Sequence, residues 1–192
     1  AFGQTGPYAK RPGFGTLAEA MSGLAHLTGE ADGPPTLAAY PLADGVAGLA
    51  GAMALMAALY HRDALDGVGQ VIDNAIAEAN LRLIEYMVLE HDQLGIVPGR
   101  QGNRLPGLAP RNTYPTYDGG YVAVSGGTQS TTAGLFNAIG RPELIDDPRF
   151  NTGANRVANV DALDAILGGW IVERNMEEVL TVFDREQVAA AP

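Results

Sequence analysis

The 192-residue chain is 46% apolar and carries 12 Lys and Arg against 22 Asp and Glu, a net charge of −10. That length gives one domain or two small ones, with enough apolar content for a core. The acidic balance argues against nucleic acid and anionic membrane surfaces as partners, and the lack of cysteine excludes disulfides, thiolate metal sites and a cysteine nucleophile.

The chain opens on Ala1-Phe2-Gly3-Gln4, which reads as the end of a strand running into a loop punctuated by Gly6-Pro7 and Pro12-Gly13. Leu17, Ala20, Met21, Leu24 and Leu27 recur at helical spacing, predicting a helix over 16–27, with Thr16 and Glu19 as a capping box. Residues 28–41 form a loop that Pro34, Pro35 and Pro41 hold extended. Asp44 then heads a helix running to Arg62, rich in Ala, Gly, Leu and Met. Its most apolar run, 46–60, is too short and glycine-rich to span a bilayer, and no signal peptide opens the chain. An acid at such a helix start has two possible roles. It caps the helix, or it is a reactive carboxylate placed where small residues let a ligand approach the backbone.

Residues 70–73 suggest a short strand. Residues 76–91 suggest one amphipathic helix that buries Ile76, Leu83, Met87 and Val88 and exposes Glu78, Arg82 and Glu85. Residues 95–112 hold four glycines, three prolines and three arginines, and read as a linker or functional loop. The predicted organisation is therefore 1–94, a linker at 95–112, and a second unit at 113–192. In that second unit Asp118-Gly119 is a hairpin signal between strands at 113–117 and 120–125. Helices follow at 128–139, stopped by Gly140, at 160–172 and at 175–186, the last with Asn175 and Glu178 as a cap pair. The fold class is mixed α/β and helix-rich.

His26, His61 and His91 are scattered without metal-ligand spacing, so no metal site is expected. Gly67-Val68-Gly69-Gln70 lacks the last glycine of a dinucleotide fingerprint, and Ser125-Gly126-Gly127 lacks the context of a nucleophile elbow. Arg100, Arg104 and Arg111 have the chemistry to grip phosphate or carboxylate, but a solvated loop is the commoner fate of such residues.

Pro34-Pro35, the Ala43-Asp44-Gly45 start with Gly48 three residues on, the Ala-Leu run, His61-Arg62 and Gly67-Val-Gly-Gln-Val71 form an ordered series. So do Phe2 to Tyr8, Arg11-Pro12-Gly13, Met21-Ser22-Gly23, Thr28-Gly29, Gly102-Asn103, Ala109-Pro110, 118–122 and Asp147-Pro148-Arg149-Phe150. Taken together, over nearly the whole chain, they resemble the family III CoA-transferases, a group that also holds the alpha-methylacyl-CoA racemases. The resemblance implies an intertwined homodimer; a cysteine-free acidic chain sits easily in the cytoplasm, which is the expected location. The resemblance also implies a Rossmann-like large domain built from both chain ends and a small α+β domain from the middle. Residues 1–94 would then be the end of the large CoA-binding domain. Measured against that plan, parts before Ala1 and after Pro192 are missing.

The same resemblance makes Asp44 the residue that becomes acylated. It puts Phe2 and Gly3 near coenzyme A, and Gly99, Gly102, Asn103 and Gly107 in a substrate loop that could equally be a plain linker. Coenzyme A and acyl-CoA enter as substrates beside a small carboxylic acid, with no permanently bound cofactor. The implied reaction moves CoA between an acyl-CoA thioester and a free acid through aspartyl anhydride and aspartyl-CoA intermediates. Two alternatives stand beside it: a racemase, whose base position is occupied here by Phe14, and a catalytically inactive truncated domain.

Overall fold

The structure, a computed structural model, describes residues 1–192, Asp66 for its backbone alone. The chain divides into two compact units, Ala1–Gly102 and Asn103–Pro192, and the division falls inside the glycine- and proline-rich stretch 95–112.

In the first unit α1 spans Gly15–Ser22 and α2 spans Leu24–Leu27. The single helix expected over 16–27 is cut at Gly23, whose φ of 95° is left-handed. Glycine adopts that conformation without a Cβ clash, so it ends the helix locally. The capping box expected of Thr16 and Glu19 is absent: Phe14 precedes α1 in extended backbone, with no side-chain cap. Glu19 is buried instead, and its Oε2 accepts the Ala38 N–H at 3.0 Å. That bond pins the proline-bearing loop to α1.

Helix α3 spans Leu42–Tyr60 and passes into a π-helical turn, His61–Asp66, closed by Gly67 at φ 72°. Pro41 stands immediately before α3. It lacks the N–H that a helix start leaves unused in any case. The continuous run Leu42–Leu65 has 24 residues and is, by length and composition, long and apolar enough to cross a bilayer. The sequence reading makes the most apolar stretch, 46–60, too short and glycine-rich to span; the helical run extends beyond that stretch at both ends.

No strand forms at 1–4 or 70–73; both are irregular. The Asp73 carboxylate accepts the Gln4 N–H at 2.7 Å and so joins the two segments. The single helix expected at 76–91 is two, α4 at Ile76–Leu81 and α5 at Glu85–Leu94, separated at Ile84, whose φ of −126° and ψ of 16° are not helical. Of the four residues expected to be buried there, Leu83 and Val88 are exposed and Ile76 and Met87 are half-buried. The residues that bury are small: Ala18 of α1, Ala43 and Ala47 of α3, and Ala75 and Ala79 at α4. Alanine faces let helices approach closely, which is how α1, α3 and α4 pack. The larger apolar side chains of α3, among them Leu49, Met53, Met56 and Tyr60, stay exposed.

The second unit is built on an antiparallel hairpin. Strands β1 (Arg111–Pro115) and β2 (Tyr121–Ser125) pair from Arg111 opposite Ser125 to Pro115 opposite Tyr121. Gly119 turns the chain at φ 82°. The Asp118 carboxylate takes the Thr116 hydroxyl at 2.5 Å and the Met176 N–H at 3.3 Å, tying the hairpin to the helix behind it. The Thr116 hydroxyl holds Asp118 below the ordinary carboxylate pKa. Helix α6 (Gln129–Ala138) is capped by Thr128 and followed by Gly140 at φ 73°. A 3₁₀ turn (Pro142–Ile145) follows, then α7 (Gly153–Ala158), which the sequence reading lacked, α8 (Val160–Ile171) and α9 (Met176–Arg185). Asn175 caps α9 by accepting the Glu178 N–H at 2.8 Å. A short β3 (Ala190–Ala191) pairs with β2 and completes a three-stranded sheet in the order β1-β2-β3.

Val122 and Val124 face inward from β2 and meet Phe136, Leu163, Leu167, Ile171, Val179 and Phe183 in one core. Each such fully buried side chain contributes about 2 kcal/mol. Arg156 is buried among them, with no carboxylate partner among the described residues. Its guanidinium donates to the carbonyls of Ala109, Phe150 and Gly127 and to Gln129 Oε1, at 3.0 to 3.1 Å. Burial lowers its pKa. Beside the core, Asp147 accepts both the backbone N–H and the guanidinium of Arg149, which holds its pKa down at about 2.

Candidate active site

Asp44 lies in the first turn of α3 and is an exposed residue. Among the described residues no hydrogen bond or ion pair reaches its oxygens. What it rests on is Gly15, the first residue of α1: a Cβ placed there would lie 2.6 Å from Asp44 Oδ2 and 3.1 Å from Cγ. The carboxylate thus stands where the N-termini of two helices, its own and α1, come together. Each brings backbone N–H groups without intrahelical partners and a partial positive charge.

The same short segment reaches the N-terminal residues. A Cβ on Gly13 would lie 2.5 Å from Ala1 Cβ and 2.9 Å from the Phe2 ring. Phe2 and Asp44 are therefore held at opposite ends of the tripeptide Gly13-Phe14-Gly15. Phe2 packs edge-on to Tyr8, with ring centroids 5.9 Å apart, and the Arg11 guanidinium lies 4.0 Å from the centre of the Tyr8 ring. Next to them is a cavity of about 450 Å³, lined by Phe2, Thr5, Tyr8, Met21, Glu78 and Leu81 among others. Gly3 takes φ 82°, and a Cβ there would come 3.2 Å from Asp73 Oδ2.

Two asparagines hold α3 in place. Asn80 is fully buried, and its Nδ2 donates to Ala43 O at 3.2 Å and to Ile76 O at 2.9 Å. Asn74 Nδ2 donates to Ala47 O at 2.8 Å, and a Cβ on Gly51 would lie 2.7 Å from that nitrogen. Gly15, Asn74 and Asn80 were not singled out in the sequence. Asn80 left one signal, a lone amide beside Ala79 in the short segment 76–81, whose only other polar residue is Glu78.

The loop residues divide. Gly99 and Gly102 belong to the first unit, where the Gly102 N–H donates to Gly29 O at 3.0 Å. Asn103 and Gly107 belong to the second, where Asn103 Nδ2 donates to the Thr113 hydroxyl at 2.7 Å. Gly107, at φ 77°, follows Pro106 in a turn closed by the Leu108 N–H on Leu105 O. Proline then a left-handed glycine is the pattern of a type II turn. Arg104 is not a free cation: it pairs with Asp161 at 2.8 Å and Asp164 at 2.6 Å.

The sequence profile of CoA-transferase family III matches residues 1–192. The chain belongs to CoA-transferase family III. It is 37% identical over 189 residues to succinyl-CoA–D-citramalate CoA-transferase of Chloroflexus aurantiacus, covering 98% of this chain and 47% of that one. It is 35% identical to acetyl-CoA:oxalate CoA-transferase of Acetobacter aceti, covering 100% and 49%. Among solved structures it resembles a CaiB/BaiF family protein from Brucella suis, with 34% identity, a TM-score of 0.78, and coverage of 100% of this chain and 50% of that one. A structure from Mycobacterium tuberculosis matches with 26% identity and a TM-score of 0.83, covering 100% and 49%. The chain spans about half the length of the curated relatives it matches.

Proposed function

We propose that this chain carries the acyl-accepting carboxylate, Asp44, of an enzyme that moves coenzyme A from an acyl-CoA to a free carboxylic acid. The observation that carries this reading is the setting of Asp44: exposed, free of hydrogen-bond partners among the described residues, and seated against a bare glycine at a helix N-terminus. A pure helix cap would spend its oxygens on backbone N–H groups. This one leaves them open to an electrophile.

A carboxylate suits the reaction because the acyl group must pass through carriers close in energy to a thioester. An Asp44 oxygen attacks the thioester carbonyl carbon; the C–S bond breaks and CoA leaves as the thiolate, giving a mixed anhydride. The thiolate then attacks the aspartyl carbonyl, the anhydride C–O bond breaks, and the donor acid departs as carboxylate. The acceptor acid attacks the resulting aspartyl-CoA thioester, and the same steps in reverse deliver the new acyl-CoA and restore Asp44. Each step develops an oxyanion, which backbone N–H groups at a helix start stabilise. The first turn of α1 supplies such groups beside Asp44.

We place part of CoA at Phe2 and Gly3, beside the cavity that Phe2 lines, and assign Gly99, Gly102, Asn103 and Gly107 to a substrate loop. Residues 1–94 then belong to the larger, CoA-binding domain and 113–192 to the smaller. The exposed apolar face of α3 is read as covered by protein in the whole assembly, with a homodimer as the simplest arrangement.

The test uses the whole protein, acyl-CoA and an isotopically labelled acid. Label enters the acyl-CoA pool, and hydroxylamine traps an adduct on Asp44. Asp44→Ala lowers exchange on the order of 10³-fold or more. Full exchange by that variant, or an adduct mapped to another carboxylate, overturns the reading.

A further inference from the structure

Asp44 raises a question that its place in the motif does not answer: what aims its carboxylate. Among the described residues no donor holds either oxygen. The side chain has two free torsions, and a misdirected carboxylate is not a nucleophile for a bound thioester. A close neighbour that restricts it is Gly15, whose bare α-carbon leaves the carboxylate its place. The carboxylate occupies the space a side chain there would fill, with Oδ2 only 2.6 Å from the Cβ position. Closest carbon–oxygen contacts are well above that distance, so the carboxylate keeps this place only because residue 15 has no side chain.

The backbone does not explain this glycine. Gly15 is not among the glycines with positive φ, and it is the first residue of a helix. Alanine is sterically acceptable at that backbone and is the better helix former by up to about 1 kcal/mol. Gly13 is glycine because Ala1 and Phe2 crowd it; at Gly15 the three nearest atoms to a Cβ all belong to the Asp44 carboxylate.

We propose that Gly15 is a positioning residue for Asp44: its missing side chain forms the seat that directs the nucleophilic carboxylate toward the N-terminus of α1. This rests on Asp44 being the acylated residue. The crowding atom is the far end of a flexible, exposed side chain, so a methyl group at residue 15 displaces it at almost no cost to the fold. The same displacement takes the carboxylate out of its reactive direction. Stability and catalysis are predicted to part company, which a merely structural glycine would not produce.

The experiment compares wild type, Gly15→Ala, Asp44→Ala and the double variant in the whole protein, by thermal unfolding, steady-state exchange and hydroxylamine trapping. Gly15→Ala is expected to keep or raise the melting temperature, leave KM for acyl-CoA within about twofold, and lower kcat and the trapped adduct about 100-fold. In the Asp44→Ala background the same change has no further effect on the residual rate. Wild-type kcat in Gly15→Ala overturns the proposal, as does an equal further loss in the Asp44→Ala background. Should Gly15→Ala fail to fold, whether or not the double variant folds, Gly15 serves the fold and the proposal is wrong. Asp44→Ala alone reports on the acylation reading: full activity there removes that reading whatever Gly15→Ala does.

Discussion

Asn80 Nδ2 donates to Ala43 O at 3.2 Å across a fully buried contact between α4 and the first turn of α3, one residue before Asp44. The same nitrogen also serves Ile76 O of its own helix. Asn80 therefore fixes the height of the Asp44 turn against α4, while Gly15 fixes the direction of its side chain.

Replacing Asn80 with Ala leaves Ala43 O without its buried donor and opens a small void. Destabilisation of about 2 kcal/mol is expected. Asn80→Asp should be at least as harmful, because it sets a carboxylate against two carbonyl oxygens. Chemical denaturation checks both, and Asn80→Ala with wild-type stability would contradict the assignment.

Phe14 is exposed, precedes α1, and has no proton to exchange. A racemase needs an acid and a base flanking the α-carbon. The whole protein should therefore transfer CoA without washing deuterium into C2 of a 2-methylacyl-CoA. Deuterium uptake at a rate comparable to transfer, seen by mass spectrometry, would restore the racemase reading.

Arg156 satisfies four acceptors that no shorter donor can reach together. Arg156→Lys keeps the charge but leaves at least two buried carbonyl groups unpaired. It should cost about 3 kcal/mol or more. Arg156→Met should cost a similar amount, which would show that hydrogen bonding rather than charge is at stake. Unchanged unfolding of Arg156→Lys would refute this.

Tyr114 donates its hydroxyl to Asp164 Oδ1 at 2.6 Å, and Asn112 and Arg104 also serve that carboxylate. Burial, then the bond to Asp164, raises the Tyr114 pKa far above its ordinary value. A folded-state pKa above the unfolded one, about 10 for tyrosine, gives stability that is complete below pH 10 and lost as pH rises beyond it. Tyr114→Phe should be less stable at neutral pH by about 1 kcal/mol and should lose less stability between pH 10 and 11 than wild type. Equal slopes in the two proteins over that window would disprove the linkage.

The 192 residues expressed alone should bind CoA weakly and self-associate. CoA is a polyanion that needs several cations or helix N-termini, and this chain has 12 basic residues against 22 acidic ones. The exposed side chains of Leu49, Met53 and Met56 on α3 give association its apolar surface. Micromolar CoA binding by titration calorimetry, or a monomer at high concentration by sedimentation, would count against one or the other expectation.

Local chemistry decided the turn and several helix ends of the second unit. Asp118-Gly119 makes a hairpin wherever it sits between alternating strands, Thr128 and Asn175 cap whatever helix follows them, and Gly140 ends one. These effects act within a few residues, so the sequence alone determined them, as its ordered motifs determined the family. The first unit was less legible because its helices meet through alanine and leave larger side chains exposed, so hydrophobic periodicity pointed to the wrong buried face. Only the tertiary structure took Glu19 out of a cap and gave it to Ala38, set Asn80 under Ala43, and laid the Asp44 carboxylate on Gly15. Each of those contacts joins residues 19 or more positions apart. No local preference encodes such a pairing; it exists only once the chain has folded back on itself.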